Sequence, residues 1–144
     1  MPSCRPPWPI ECAGDFIHLA VLAPSWASWP AGRGSIGAVA LAVEAMNADA
    51  NGNSAGGKKV VYAWEEVDCN PSQALATLSR MLEQEPIDAV IGPVCDLACE
   101  STAYLTGGRG VPHISYHCTS GALSNKATFP TVRLAYDPLS FARC

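Results

Sequence analysis

Residues 31–49, "AGRGSIGAVALAVEAMNAD", set Gly32, Gly34 and Gly37 in the spacing G-x-G-x-x-G and then run into an Ala-rich segment with helical periodicity. The run before it, "FIHLAVLAP" (16–24), is short, apolar and closed by Pro24, the pattern of a buried strand. A strand, a loop and a helix in this order announce an α/β fold, and the glycines raise the question of a nucleotide site. A dinucleotide fingerprint needs its first glycine in the tight turn directly after the strand, so that a pyrophosphate meets the helix amides. Here residues 24–31 intervene and carry Trp26, Trp29 and Pro30. That loop is too long and bulky for a phosphate cradle, which makes a Rossmann-type nucleotide-dependent enzyme the weaker alternative.

The rest of the chain repeats the alternation. The first helix is expected over about Ser35 to Asn47, with Ile36, Val39, Ala40, Val43 and Met46 as its buried stripe. "KVVYAWEEV" (59–67) reads as the second strand. In "NPSQALATLSRML", Asn70 is placed to cap, Pro71 suits the first helical position and Gln73 completes a capping box, with Leu75, Leu78 and Leu82 on one face. "IDAVIGP" (87–93) follows as a strand, "DLACESTAYLTGG" (96–108) as a helix with a glycine stop, and "VPHISY" (111–116) as a fourth strand. A turn of helix near "SGALSN" and a fifth strand around 130–135 complete the series. The expected fold class is α/β: a parallel sheet with right-handed crossovers and helices on both faces, binding ligands at the carboxyl ends of its strands.

Composition narrows the function. With 49% apolar and 15% charged residues the chain has the makings of a folded core, and its net charge of −4 disfavours nucleic acid and anionic membrane surfaces. No run approaches the ~18 apolar residues of a membrane span. The first fourteen residues read as a Pro-rich, irregular leader without an export signal. Seven cysteines, Cys4, Cys12, Cys69, Cys95, Cys99, Cys118 and Cys144, suit disulfides in an oxidising compartment, with an odd thiol left over.

Other motifs lose to plainer readings. "GNSAGGKK" (52–59) imitates a P-loop, but Lys59 stands in place of the Mg²⁺-binding hydroxyl and a strand follows in place of a helix. His113 and His117, four apart on a strand, would lie about 13 Å apart on one face and share no ion. His117 and Cys118 with Cys95 and Cys99 make a zinc set only on paper, since buried or disulfide-linked cysteines explain them better. No metal, no cofactor and no catalytic group is therefore expected.

Three stretches, "VDCNPSQALATLSRML", "IDAVIGPVCDLACES" and "GVPHISYHCTSGALSNKATFPTVRL", resemble the extracellular ligand-binding region of receptor guanylyl cyclases and natriuretic peptide receptors. The fold of that family is the type-1 periplasmic binding protein, shared with metabotropic glutamate receptors and bacterial leucine/isoleucine/valine-binding proteins. The resemblance covers roughly residues 16–137. It implies that residues 15–144 form part of lobe one, truncated at the C-terminus, and that the parent is a homodimeric, membrane-anchored receptor. Its site would face the extracellular side and take a small-molecule or peptide ligand by closure of two lobes, with no catalysis in this region. A secreted or periplasmic solute-binding protein is the alternative within the same fold.

The resemblance also implies a site. The loop after the first strand lines the cleft with an aromatic residue, here Trp26 or Trp29. A small hydroxyl residue at the start of the third helix and a Thr after the fourth strand hold the ligand's carboxylate and amine in amino-acid-binding relatives. Thr119 matches the second, whereas Asp96 stands at the first. As an N-cap, Asp96 would turn its carboxylate onto the amides of Leu97 to Cys99 and meet an incoming carboxylate with a repulsion of roughly 1–4 kcal/mol at ~4 Å. Trp26, Trp29, Asp96, Tyr116 and Thr119 are the expected ligand-binding residues, for something other than a free α-amino acid. Cys69 and Cys95 both fall at the carboxyl edge of the sheet and the family commonly bridges these positions, so they are the expected disulfide, with Cys118 as the rival partner for Cys95.

Overall fold

A computed structural model describes residues 15–24, 33–49 and 54–134. The Pro-rich leader, Trp26, Trp29, Gly32 and the remaining cysteines, Cys4, Cys12 and Cys144, lie outside the described residues. The elements are β1 (Phe16–Ala23), α1 (Arg33–Ala48), β2 (Lys59–Glu66), α2 (Pro71–Gln84), β3 (Ala89–Ile91), α3 (Asp96–Arg109), β4 (His113–Ser115), a 3₁₀ turn (Gly121–Ser124) and β5 (Val132–Leu134). The described strands form one parallel sheet in the order β2-β1-β3-β4-β5. The chain therefore steps from β1 to one side, then crosses back to build the rest on the other. With right-handed crossovers this reversal puts α1 on one face and α2 and α3 on the opposite one. It also puts a topological switch point between β1 and β3.

The core lies between the sheet and the α2–α3 layer. Ala20 and Leu22 of β1, Ala63 and Val67, and Val90 of β3 meet Ala74, Leu78 and Met81 of α2 and Ala98 of α3. The stripe of α2 thus runs through Ala74, Leu78 and Met81 rather than Leu75, Leu78 and Leu82, since Leu75 is exposed and Leu82 only flanks the core. Ala74 and Leu78 face the strands, while Leu75 and Leu82 fall to the side of them. A second cluster, Cys99, Ala103, Cys118, Leu123, Phe129 and Val132, joins α3 to the 3₁₀ turn and β5.

Local signals account for most boundaries. The Asn70 carboxamide oxygen accepts the amides of Ser72 and Gln73 at 3.0 and 3.2 Å, and Pro71 occupies the first turn. The Gln73 side chain is exposed, and α2 begins on the asparagine cap. Helix α3 runs through Gly107 and Gly108, where a stop was expected, and ends at Gly110, whose φ of 69° is the left-handed conformation that suits glycine. Gly34 and Gly37 lie inside α1 and form no turn, which removes the phosphate-loop reading. Of the expected stripe on α1 only Val43 is fully buried, with Ile36, Val39, Ala40 and Met46 half-buried, where α1 lies against β1 and β2. Its C-terminal end is fastened by Asn47, whose side-chain amide exchanges two 2.8 Å hydrogen bonds with the backbone of Val60, as a neighbouring strand would.

Candidate functional site

The switch point is built by Gly92. Its φ of 85° and its place against β1 admit no side chain, since a Cβ there would strike the Leu22 carbonyl oxygen. The Gly92 amide donates to Ile114 at 2.9 Å, and its carbonyl accepts from Nε2 of the fully buried His113. A carbonyl only accepts, so Nε2 carries the proton and Nδ1 faces the Thr106 hydroxyl at 3.3 Å. Burial holds the His113 pKa below its ordinary value, partly offset by the bond to Gly92. His113 is thus a structural, neutral imidazole that secures β3 to β4. His117 lies beyond β4 with Nδ1 3.4 Å from the Val94 carbonyl, so the two histidines share neither element nor partner.

Tyr116 leaves β4 with its ring edge against Gly92. Its hydroxyl is buried without a well-formed hydrogen bond. Burial pushes its phenol above the usual range, and the Ser35 hydroxyl at the start of α1 draws it partly back. The Tyr116 ring therefore reaches from β4 across the switch point toward α1.

Asp96 behaves differently from expectation. The N-cap of α3 is Cys95, which makes no side-chain cap bond, and Asp96 is the first helical residue. Its carboxylate bypasses the helix amides and reaches the loop after β4. Oδ1 accepts the amides of Thr119 at 2.6 Å and Ser120 at 3.0 Å, and Oδ2 accepts the Thr119 hydroxyl at 3.1 Å. Ser120 in turn donates its hydroxyl to Glu100, one helical turn further on. Ser120, Glu100 and Gly92 were not singled out in the sequence. Only the Gly-Pro step directly after a strand hinted at Gly92.

Two disulfides converge on the same turn of α3. Cys69, after β2, is bonded to Cys95 with a Cα separation of 5.2 Å, and Cys118, after β4, is bonded to Cys99 at 6.5 Å. Cys118 is thus the partner of Cys99 and not of Cys95. These four sulfurs are committed to one another, and among the described residues no group of three or more His, Cys, Asp or Glu is arranged to hold a metal ion. The edge thus gathers Tyr116, Asp96 and Thr119 at the carboxyl ends of β3 and β4, beside the end of β1.

The sequence profile described as the receptor family ligand-binding region matches residues 36–143, well over half of the chain. The chain belongs to this family. As a member of the receptor family it is similar to mouse gamma-aminobutyric acid type B receptor subunit 1, 28% identical over 115 residues, covering 80% of this chain and 12% of that protein. It is also similar to Guanylate cyclase 32E of Drosophila melanogaster, 30% identical over 130 residues, covering 88% of this chain and 10% of that protein. The chain therefore spans about a tenth of the length of these receptor-family relatives. Among solved structures, the leucine-binding protein LivK of Thermotoga maritima superposes with a TM-score of 0.72 at 17% identity, over 84% of this chain and 33% of that one. LivJ of Streptococcus pneumoniae, in complex with isoleucine, gives 0.69 at 20%, over 85% and 34%. The fold is thus that of the type-1 periplasmic binding proteins. No helix among the described residues is long and apolar enough to cross a membrane.

Proposed function

We propose that this chain is part of lobe one of the ligand-binding region of a membrane receptor of the guanylyl cyclase kind, facing the extracellular side. The observation that carries this reading is the receptor-family match over residues 36–143, with likeness to a guanylate cyclase. It is supported by the edge at the β1/β3 switch point, where Tyr116 lies by Gly92 and Asp96 holds Thr119. Parallel α/β sheets bind ligands at such an edge. In the whole receptor a second lobe would close over it, and a small molecule or peptide would act by favouring the closed state. The parent would be an anchored homodimer, and this region would bind rather than catalyse. The two disulfides support an oxidising, extracytosolic setting.

The test is made on the full-length protein that carries this sequence, expressed in cultured cells. Surface labelling with an impermeant reagent should reach it, and peptides and small metabolites should be found that raise cyclic GMP. Tyr116→Ala and Thr119→Ala should each weaken the response at least tenfold at unchanged surface expression. A response indifferent to both substitutions would remove the edge from the reading. The fold likeness to LivK favours a second reading, a solute-binding protein without a membrane anchor. Release of the protein into the medium, with no membrane-bound form, would establish that one instead.

A further inference from the structure

The donors on the loop after β4 form a cradle for a carboxylate, and the chain fills it with one of its own. Two adjacent amides, Thr119 and Ser120, and one hydroxyl, that of Thr119, point at the same carboxyl group. That carboxyl belongs to Asp96, twenty-three residues away in sequence and on a different element. The arrangement is a charge-assisted, multidentate reception of the kind used to recognise carboxylates. Solved proteins of this fold that carry carboxylate ligands include those in complex with isoleucine, benzoate and 4-hydroxybenzoate.

We propose that Asp96 is the specificity-determining residue of this edge: a tethered carboxylate that satisfies the Thr119–Ser120 donors and closes them to any ligand carboxylate. The inference rests on reading this edge as the ligand-binding one. It specifies the ligand class by exclusion: a ligand here is recognised through groups other than a carboxylate. Two physical effects act together. The donors are already satisfied, so an incoming carboxylate gains nothing from them without displacing Asp96. The resident charge also repels it, and Glu100, held by Ser120, adds a second negative group one turn away.

The decisive experiment removes the tether and supplies the missing group free in solution. In Asp96→Ala the two amides and the hydroxyl lose their partner, and acetate is the smallest molecule that replaces it. Binding is read on the full chain from the amide resonances of Thr119 and Ser120, and from the gain in thermal stability that a bound ligand confers. Sodium chloride at equal ionic strength is the control. In Asp96→Ala, acetate should shift both amides saturably at millimolar concentration and raise the melting temperature above the chloride control. The parent sequence should bind acetate at least tenfold more weakly at these amides. Asp96→Asn, which keeps an acceptor oxygen but no charge, should fall between the two and serves if the alanine variant does not fold. Equal acetate binding by the parent and the variants would overturn the proposal. So would a folded Asp96→Ala or Asp96→Asn protein whose Thr119 and Ser120 amides ignore acetate, because Asp96 would then be only a staple for the loop. Acetate probes the edge by itself, so either result stands whether or not a receptor ligand is found.

Discussion

Single residues carry sharply different burdens here. Gly92 has both a positive φ and the Leu22 carbonyl where a Cβ would stand, so Gly92→Ala should cost about 3 kcal/mol or more, as strain and overpacking combine. Urea unfolding measures it, and a loss below about 1 kcal/mol would mean the strands part more easily than packed strands do. His113 gives a pH signature. Its folded pKa is depressed by burial, so as pH falls below about 6.5 the unfolded chain takes up the proton first and stability declines. His113→Gln, which keeps a donor for Gly92, should flatten that part of the pH dependence, compared by melting the two proteins across pH 5 to 8. Asp96 takes partners outside its own helix. Its place in sequence, after a strand and before a helix, is that of a cap, and capping rules are local. The Thr119 and Ser120 amides offered it better partners through tertiary contact, which no local rule anticipates.

At the scale of elements, the signals that were legible were those written within a few residues. Asn70 and Pro71 announce the start of α2 because the cap and the helix are consecutive. The buried face of α2 departs from the one apolarity alone predicts, because Ala74 rather than Leu75 faces the sheet. The role of Asn47 was invisible for a related reason, since its partner Val60 lies across a turn and on another element. Asn47→Ala leaves the Val60 amide and carbonyl without their partners and should cost about 1–3 kcal/mol. Chemical denaturation checks this, and a cost near zero would show that water serves β2 equally well. The disulfides bind elements rather than residues. Opening Cys69–Cys95 or Cys99–Cys118 by double alanine substitution should each cost roughly 3 kcal/mol by the chain-entropy argument. The second should cost more, because Cys99 and Cys118 also fill the cluster around Leu123 and Phe129.

For the whole molecule, alternation of strand and helix made the parallel sheet readable, and the resemblance extended it to a family. The depth of burial on each face was not readable, because it depends on which strands a helix lies across. Helix α1 covers β1 and β2, leaving Ile114 of β4 44% exposed on the same side of the sheet, while Trp64 of β2 is also 45% exposed. Exposed apolar surface on a sheet promotes association. Ile114→Thr, which retains strand preference, should therefore lower light scattering of the concentrated chain with little change in melting temperature. Unchanged scattering would place the sticky surface elsewhere. The turn of α3 that carries Cys95, Asp96 and Cys99 has one further consequence. Covalent bonds run from it to the loops after β2 and after β4, and Asp96 adds a second fastening to the latter. The two loops are thus joined through a single bracket, so neither shifts without drawing on the same end of α3. The loops after β2 and β4 are thereby yoked to one end of a fourteen-residue helix that runs back along the sheet toward the amino ends of its strands.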